Sequence, residues 1–214
     1  MAGAEKKVPK QTVKRLPDYL TYLKGKAEEG VINISAPMVA KGLNLNEVQV
    51  RKDLASVSQN GGKPRTGYLL SGLIADIEKY LGYDNVKDAI VVGVGHLGSA
   101  LMSFKGFQNH GLNVIAGFDT NNNLIGTEVN GKKIFSIDYM IELCKKLNIH
   151  IGIITVPDEY AQQVCDIMVK AGILAVWNFA QVHLKVPDSI IVQNENLAAS
   201  LAILSKSIRI DDKN

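Results

Sequence analysis

Residues Ala89-Ile90-Val91-Val92-Gly93-Val94-Gly95-His96-Leu97-Gly98-Ser99-Ala100 leave little choice of local fold. An apolar run that breaks into Gly-x-Gly-x-x-Gly and then into helix-forming residues reads as a buried parallel strand, a tight turn and a helix start. Gly93 supplies the turn, Gly95 leaves room for a pyrophosphate to approach the backbone, and Gly98 lets the helix pack closely on the strand. The helix's first N–H groups then face the phosphates. A purely structural turn satisfies the same glycines on steric grounds, so the context decides. A second apolar strand over 113–118 ends on Asp119, 21 positions beyond Gly98, close to the spacing at which an acid binds the adenosine ribose hydroxyls. An acid there, rather than an arginine, favours NAD over NADP. Val94, His96 and Leu97 complete the expected nucleotide turn.

Alternating helical and strand patterns follow. After a helix ending near residues 110–111 and the strand closed by Asp119 come an excursion over 126–131, a helix from 136 to about 148, and a central strand over 149–155. That strand closes on Thr155-Val156-Pro157. A helix over 158–171, a strand over 175–177, the loop Asn178-Phe179-Ala180, and two short strands at 182–184 and 189–193 complete a parallel sheet. Ligands of open α/β sheets bind beyond the carboxyl ends of the strands, so both motifs are candidate cofactor contacts. The last helix, about 194–207, carries Leu197, Leu201, Leu204 and Ile208 on one stripe, either closing its own domain or docking on a partner subunit.

The first eighty residues have a different character, with 13 Lys and Arg against 8 Asp and Glu, a net of +5, whereas the remainder has a net of −2. A basic front segment suggests a polyanion partner, although a solvated basic face satisfies the same count. Leu16, Leu20 and Leu23 recur at helical spacing, Ser35 caps a second helix with Pro37 near its start, and Asn46 caps a third. Glycine-rich residues 58–68 read as a hairpin wing carrying Lys63 and Arg65. Three short-linked helices and a wing describe a winged helix whose third helix enters the major groove of DNA. Gln49 and Arg51 are the candidate base readers. Lys14, Arg15 and Lys52 are candidate phosphate contacts, and Lys63, Arg65 and Tyr68 belong to the wing. A small helical domain with idle lysines is the competing reading. A helix over 70–81 leads out of this segment.

The chain has 214 residues and a hydrophobic content of 46 %, enough for a packed core. No apolar run approaches the roughly 20 residues of a membrane span, and residues 1–10 have no signal-peptide core, so a cytoplasmic protein with no membrane partner is expected. Cys144 and Cys165 read as buried reduced thiols, without metal-ligand spacing. His110 and His150 read as structural, His96 as a neighbour of the cofactor, and no histidine has an evident catalytic partner.

At this point the sequence resembles the Rex family of redox-sensing transcriptional repressors over nearly its whole length. The resemblance rests on Lys14-Arg15-Leu16-Pro17, Gln49-Val50-Arg51-Lys52-Asp53-Leu54, the Gly93 to Gly98 turn with Ser99-Ala100-Leu101, Gly117-Phe118-Asp119, Thr155-Val156-Pro157 and Asn178-Phe179-Ala180. It implies a homodimer with winged-helix heads on double-stranded operator DNA, Rossmann domains binding NAD and NADH, and final helices exchanged between subunits. In that family NADH releases the operator while NAD is compatible with binding. Phe104 and Asn196 enter the candidate cofactor pocket through this resemblance. Family members usually carry Arg or Asn where His96 stands, often Tyr where Phe104 stands, and Asp followed by an aromatic where Asn196-Leu197 stand. The Ser-Tyr-Phe-Gly usual after the third helix is Ala55-Ser56-Val57-Ser58, and Gln181 replaces a proline.

The expected architecture is therefore α/β: a winged-helix DNA-binding domain over 1–83, a Rossmann dinucleotide-binding domain over 84–193 and a swapped dimerisation helix over 194–214. The expected function is a redox-responsive repressor, with no catalytic residue. Two alternatives stay open: an NAD-dependent oxidoreductase with an extra helical domain, and a DNA-binding dimer that uses NAD only structurally.

Overall fold

The computed structural model describes residues 8–83 and 87–206. It forms two compact units, Met1–Asn85 and Val86–Asn214.

In the first unit, α1 (Lys10–Glu28), α2 (Ala36–Leu43), α3 (Glu47–Val57) and α4 (Leu70–Leu81) enclose a core that includes Leu16, Tyr19, Leu23, Val39, Val50, Leu54, Leu73 and Ile77. The helix starts follow the local chemistry. Ser35 Oγ accepts from Met38 N with Pro37 in the first turn, and Asn46 Oδ1 accepts from Gln49 N at 3.2 Å with Glu47 beside the positive helix end. A small antiparallel pair, β1 (Asn33–Ile34) and β2 (Tyr68–Leu69), closes the unit. The wing between α3 and β2 is tied by the reciprocal backbone bonds of Lys63 and Gly67 at 2.8 and 2.9 Å.

The second unit is a seven-stranded sheet of order β5-β6-β4-β3-β7-β8-β9. Its strands are β3 (Lys87–Val92), β4 (Leu112–Asp119), β5 (Glu128–Val129), β6 (Lys132–Ser136), β7 (Ile151–Ile154), β8 (Ala175–Asn178) and β9 (Ile191–Asn194). All pairings are parallel except the β5–β6 hairpin. The chain moves outward from β3 through β4 and β6, then returns to β7 on the other side, so the direction of winding reverses at β3. That reversal places a topological switch point at the carboxyl ends of β3 and β7, where open α/β sheets take their ligands. Alternate residues divide between two faces. Ile90, Val92, Ile154 and Val176 pack under α6 (Met140–Leu147) and α7 (Asp158–Lys170), while Ala89, Val91 and Ile153 join Met102 of α5 (His96–Ser103). Among the described residues no helix is long and apolar enough to cross a membrane.

Three expectations need correction. The helix after the glycine turn is short: α5 ends at Ser103, and a 3-10 segment, Lys105–His110, follows. The reason is Phe104, which leaves the helix with ψ of 107°, lays its ring over Gly106 and meets Phe107 edge to face at 5.0 Å. Residues 182–184 form no strand, because side chains take their backbone groups and those of their neighbours. Asn178 Nδ2 donates to Val182 O at 3.0 Å, and Gln162 clamps Lys185 by accepting from its N–H at 2.8 Å and donating to its carbonyl at 3.0 Å. The last helix, α8, spans Leu197–Lys206, beginning three residues later than its apolar stripe suggested because Asn196 Oδ1 caps it by accepting from Ala199 N at 2.7 Å. Ile208 lies outside the described residues.

Asn178 is wholly buried and holds this corner together. Its amide donates to Ala180 O, Val182 O and Asn194 Oδ1 and accepts from Ala180 N. Asn178→Ala should cost about 3 kcal/mol in urea unfolding, because it strands several buried polar groups. Asn178→Asp, nearly identical in shape, should be no better, since an oxygen would then face three oxygens.

Candidate nucleotide crevice and nucleic-acid face

The glycine turn is built by close approach. Gly93 has φ of +90°, and a Cβ there would lie 2.7 Å from Val156 Cγ1. A Cβ on Gly98 would overlap the Gly93 carbonyl oxygen and stand 2.9 Å from Thr155 Oγ1. A Cβ on Gly95 would meet nothing within 4 Å. Two of the three glycines are thus required by the protein's own packing, whereas the third borders open space. Thr155, just past β7, secures the turn by donating its hydroxyl to Gly93 O at 2.6 Å and Val92 O at 3.1 Å. Asp119, at the end of β4, accepts from Val94 N at 2.6 Å and Asn121 N at 2.8 Å. His96 opens α5, both it and Leu97 are exposed, and Val94 is buried in the core.

The other expected pocket residues are placed less uniformly. Val156 and Pro157 border the turn and the start of α7. Phe179 bonds its N–H to Ile154 O at 3.0 Å, and its ring lies 4.6 Å from Trp177. Ala180 is buried, and the Asn178 side chain is fully committed to its neighbours. Phe104 sits at the far end of α5 from the turn and lines a separate cleft of about 300 Å³ with Phe107 and Lys132. Lys132 donates to Met102 O there, and burial pulls its pKa down. Asn196 caps α8. A contact absent from the sequence reading is Trp177 Nε1 donating to Glu195 Oε1 at 3.1 Å, which ties the approach to α8 onto β8. Cys144 and Cys165 are buried thiols, and burial raises Cys144 to about 11.

On the first unit, α1 and α3 border an open groove of about 540 Å³ lined by Thr12, Arg15, Asn46, Gln49, Lys52 and Ser56. Lys14, Arg51, Lys52, Lys63 and Arg65 are exposed, with Arg51 paired to Glu47 one turn back. Arg65 adopts φ of +65° at the wing tip. Two candidates are engaged inside the unit. Tyr68 is 7 % exposed, its ring packed over Gly62. Arg15 forks onto Asp53, donating from Nε to Oδ2 at 2.9 Å and from Nη2 to Oδ1 at 3.0 Å. Asp53 also accepts from Thr12 Oγ1 at 2.7 Å and Tyr19 Oη at 2.8 Å. The sequence did carry a signal for this cluster: Asp53 shares the helical stripe of Val50, Leu54 and Val57, and a carboxylate on a buried stripe needs a cation.

Two sequence families match this chain: "Putative DNA-binding protein N-terminus" at residues 7–55 and "CoA binding domain" at residues 84–182. The redox-sensing transcriptional repressor Rex of Bacteroides fragilis is 40 % identical over 206 residues, covering 96 % of this chain and 93 % of that protein. This chain belongs to the Rex family. The Rex of Treponema denticola is 42 % identical over 202 residues, covering 94 % and 96 % of the two chains. Among solved structures, the Rex-family repressor RSP in complex with beta-NAD+ and operator DNA superposes with a TM-score of 0.87 at 32 % identity, covering 92 % of this chain and 91 % of that one. RSP in complex with beta-NADH gives 0.81 at 32 % identity, covering 93 % of each.

The Rex fold's glycine turn yields a direct test. Gly98→Ala should destabilise the protein by about 1–3 kcal/mol, as overpacking does. Gly95→Val should leave the melting temperature nearly unchanged and abolish nucleotide binding in calorimetry. Equal loss of stability in both variants would contradict the division of roles.

Proposed function

We propose that this chain is a redox-responsive transcriptional repressor that binds operator DNA as a homodimer and takes up NAD or NADH in the β3–β7 crevice. The observation that carries the reading is the open space at Gly95, between a turn locked by Gly93 and Gly98 and the carboxylate of Asp119. A pyrophosphate has access there to the α5 N-terminus. Both Asp119 oxygens now accept backbone N–H groups, and each has lone pairs left for ribose hydroxyls. In the head, Lys52 and the exposed wing cations Lys63 and Arg65 supply phosphate contacts, and Gln49 and Arg51 supply base contacts. RSP's complexes with operator DNA, beta-NAD+ and beta-NADH support this assignment. The relatives' designation as repressors supports regulation rather than catalysis.

A weakened redox response is favoured by one residue. Oxidised and reduced nicotinamide differ by a positive charge, so a carboxylate near the ring distinguishes them, whereas a neutral amide does not. Position 196 holds Asn, and its side-chain oxygen is occupied in capping α8. The expected dimer binds both cofactors and discriminates between them weakly. Titrating labelled operator DNA with and without each nucleotide tests this: NAD and NADH should both bind, with NADH releasing DNA weakly. Full release at low NADH, with resistance to the same concentration of NAD, would refute it.

The dimer rests on α8. Leu197, Leu201 and Leu204 are 59, 67 and 62 % exposed, and Ile203 on another side is 70 % exposed. A helix apolar on more than one side calls for burial on more than one side, which insertion into a second copy supplies. Truncation before Asn194 should therefore give monomers with poor operator affinity, and a truncated chain that sediments as a dimer would exclude helix exchange.

A further inference from the structure

The head contains a polar assembly that phosphate contact does not explain. Asp53 is 5 % exposed, and Thr12, Tyr19 and Arg15, all on α1, direct four hydrogen bonds onto its two oxygens. A carboxylate removed from water is stable when its lone pairs are filled in this way and a guanidinium fork balances its charge. The fork also fixes the plane of the guanidinium. Beside it lies Gln49, one end of whose amide stands 3.2 Å from Nη1 and 2.9 Å from Nε; with its oxygen at that end, Gln49 accepts from Nη1. The reversed amide would set N–H groups against N–H groups. The oxygen of Gln49 is therefore held inward, and its NH₂ is the end left for the groove that Gln49 lines.

We infer that Asp53 and Arg15 are a positioning pair that fixes Gln49 as a donor-only reading head, selecting a base edge with two acceptors. This rests on the reading of α3 as the helix that enters the major groove. A free glutamine recognises adenine with both ends of its amide, accepting from N6 and donating to N7. With its oxygen withheld, one of those bonds is lost. Cytosine presents only an amino donor, so donor meets donor. Guanine presents N7 and O6, both acceptors, and becomes the favoured base. Each nitrogen of Arg15 has a protein partner in this arrangement, and its effect is assigned to Gln49 rather than to the DNA backbone.

The test uses the full-length protein and a pool of duplexes with randomised half-sites, sequenced before and after binding. Gln49→Ala locates the affected position. Arg15→Lys keeps the charge and loses the fork. It should reduce the guanine preference at that position from about tenfold to threefold or less, with adenine recovering, while other positions and the salt dependence are unchanged. A phosphate contact predicts instead that lysine substitutes for arginine with the whole pattern intact, and that result would overturn the positioning pair. If Arg15→Lys unfolds the head, Gln49→Glu decides, because its carboxylate offers no donor. Guanine should then give way to cytosine, and retained guanine would overturn the inference. A parent protein that enriches no sequence would overturn the reading of α3 itself, and the inference with it.

Discussion

The second unit depends on the contact of β3, α5 and β7 without side chains between them. The missing Cβ atoms of Gly93 and Gly98 allow the turn to press against Thr155 and Val156, and the Thr155 hydroxyl bonds to two successive carbonyls of the turn. Asp119 binds the same turn from the other side through Val94 N. The carboxyl end of β3 is consequently held by the ends of both neighbouring strands. Local rigidity of this kind fixes the direction of the α5 N-terminus before any ligand arrives, which reduces the ordering cost of binding.

The first unit reaches a comparable result with a charge instead of a close approach. Asp53 joins α1 to α3 through donors at three positions on α1. Burial, together with the hydrogen bond to Asp53, pushes Tyr19 up to about 12, so its hydroxyl stays protonated and donating throughout the physiological range. A buried ion pair contributes little net stability compared with apolar packing. What it adds is direction: leucines in the same place would hold the helices together without dictating how a guanidinium and an amide are turned.

What was legible in the sequence followed from local rules. The caps at Ser35 and Asn46 and the helix over 70–81 each depend on residues within a few positions of one another, and the tight turn at Gly93 and close packing at Gly98 follow from the spacing of the motif although Thr155 and Val156 complete them. Two of the misplaced elements are also local: Phe104 over Gly106 ends α5 early, and the Asn196 cap on Ala199 starts α8 late. At 182–184 the partners are mixed: Asn178, four positions back, takes Val182 O, whereas Gln162, 23 positions away, takes both backbone groups of Lys185. Tyr68, as part of the wing, and Arg15, beside Lys14, are expected at the DNA-facing surface, and only the fold sets them against Gly62 and Asp53. Asp53 differs: its helical phase with Val50, Leu54 and Val57 puts it on the buried face of α3, a signal the chain carries and the expectations for the basic face passed over.

The same distinction bears on the start of α8. Asn194 pairs with Asn178, Glu195 N bonds to Asn178 O, and the Glu195 carboxylate takes the Trp177 indole N–H. The residues immediately before the helix are therefore fastened to the end of β8, and Phe179, the next residue along, is fastened to β7 through Ile154 O. A shift at the carboxyl ends of β7 and β8 would have to move the origin of α8 or break these bonds. The exposed leucines of α8 magnify such a shift, because a helix of ten residues is about 15 Å long and a small rotation at its origin displaces its far end by several times as much. In this arrangement the strand ends that border the crevice and the origin of the apolar helix form one bonded piece, so whatever packs against those leucines is mechanically continuous with them.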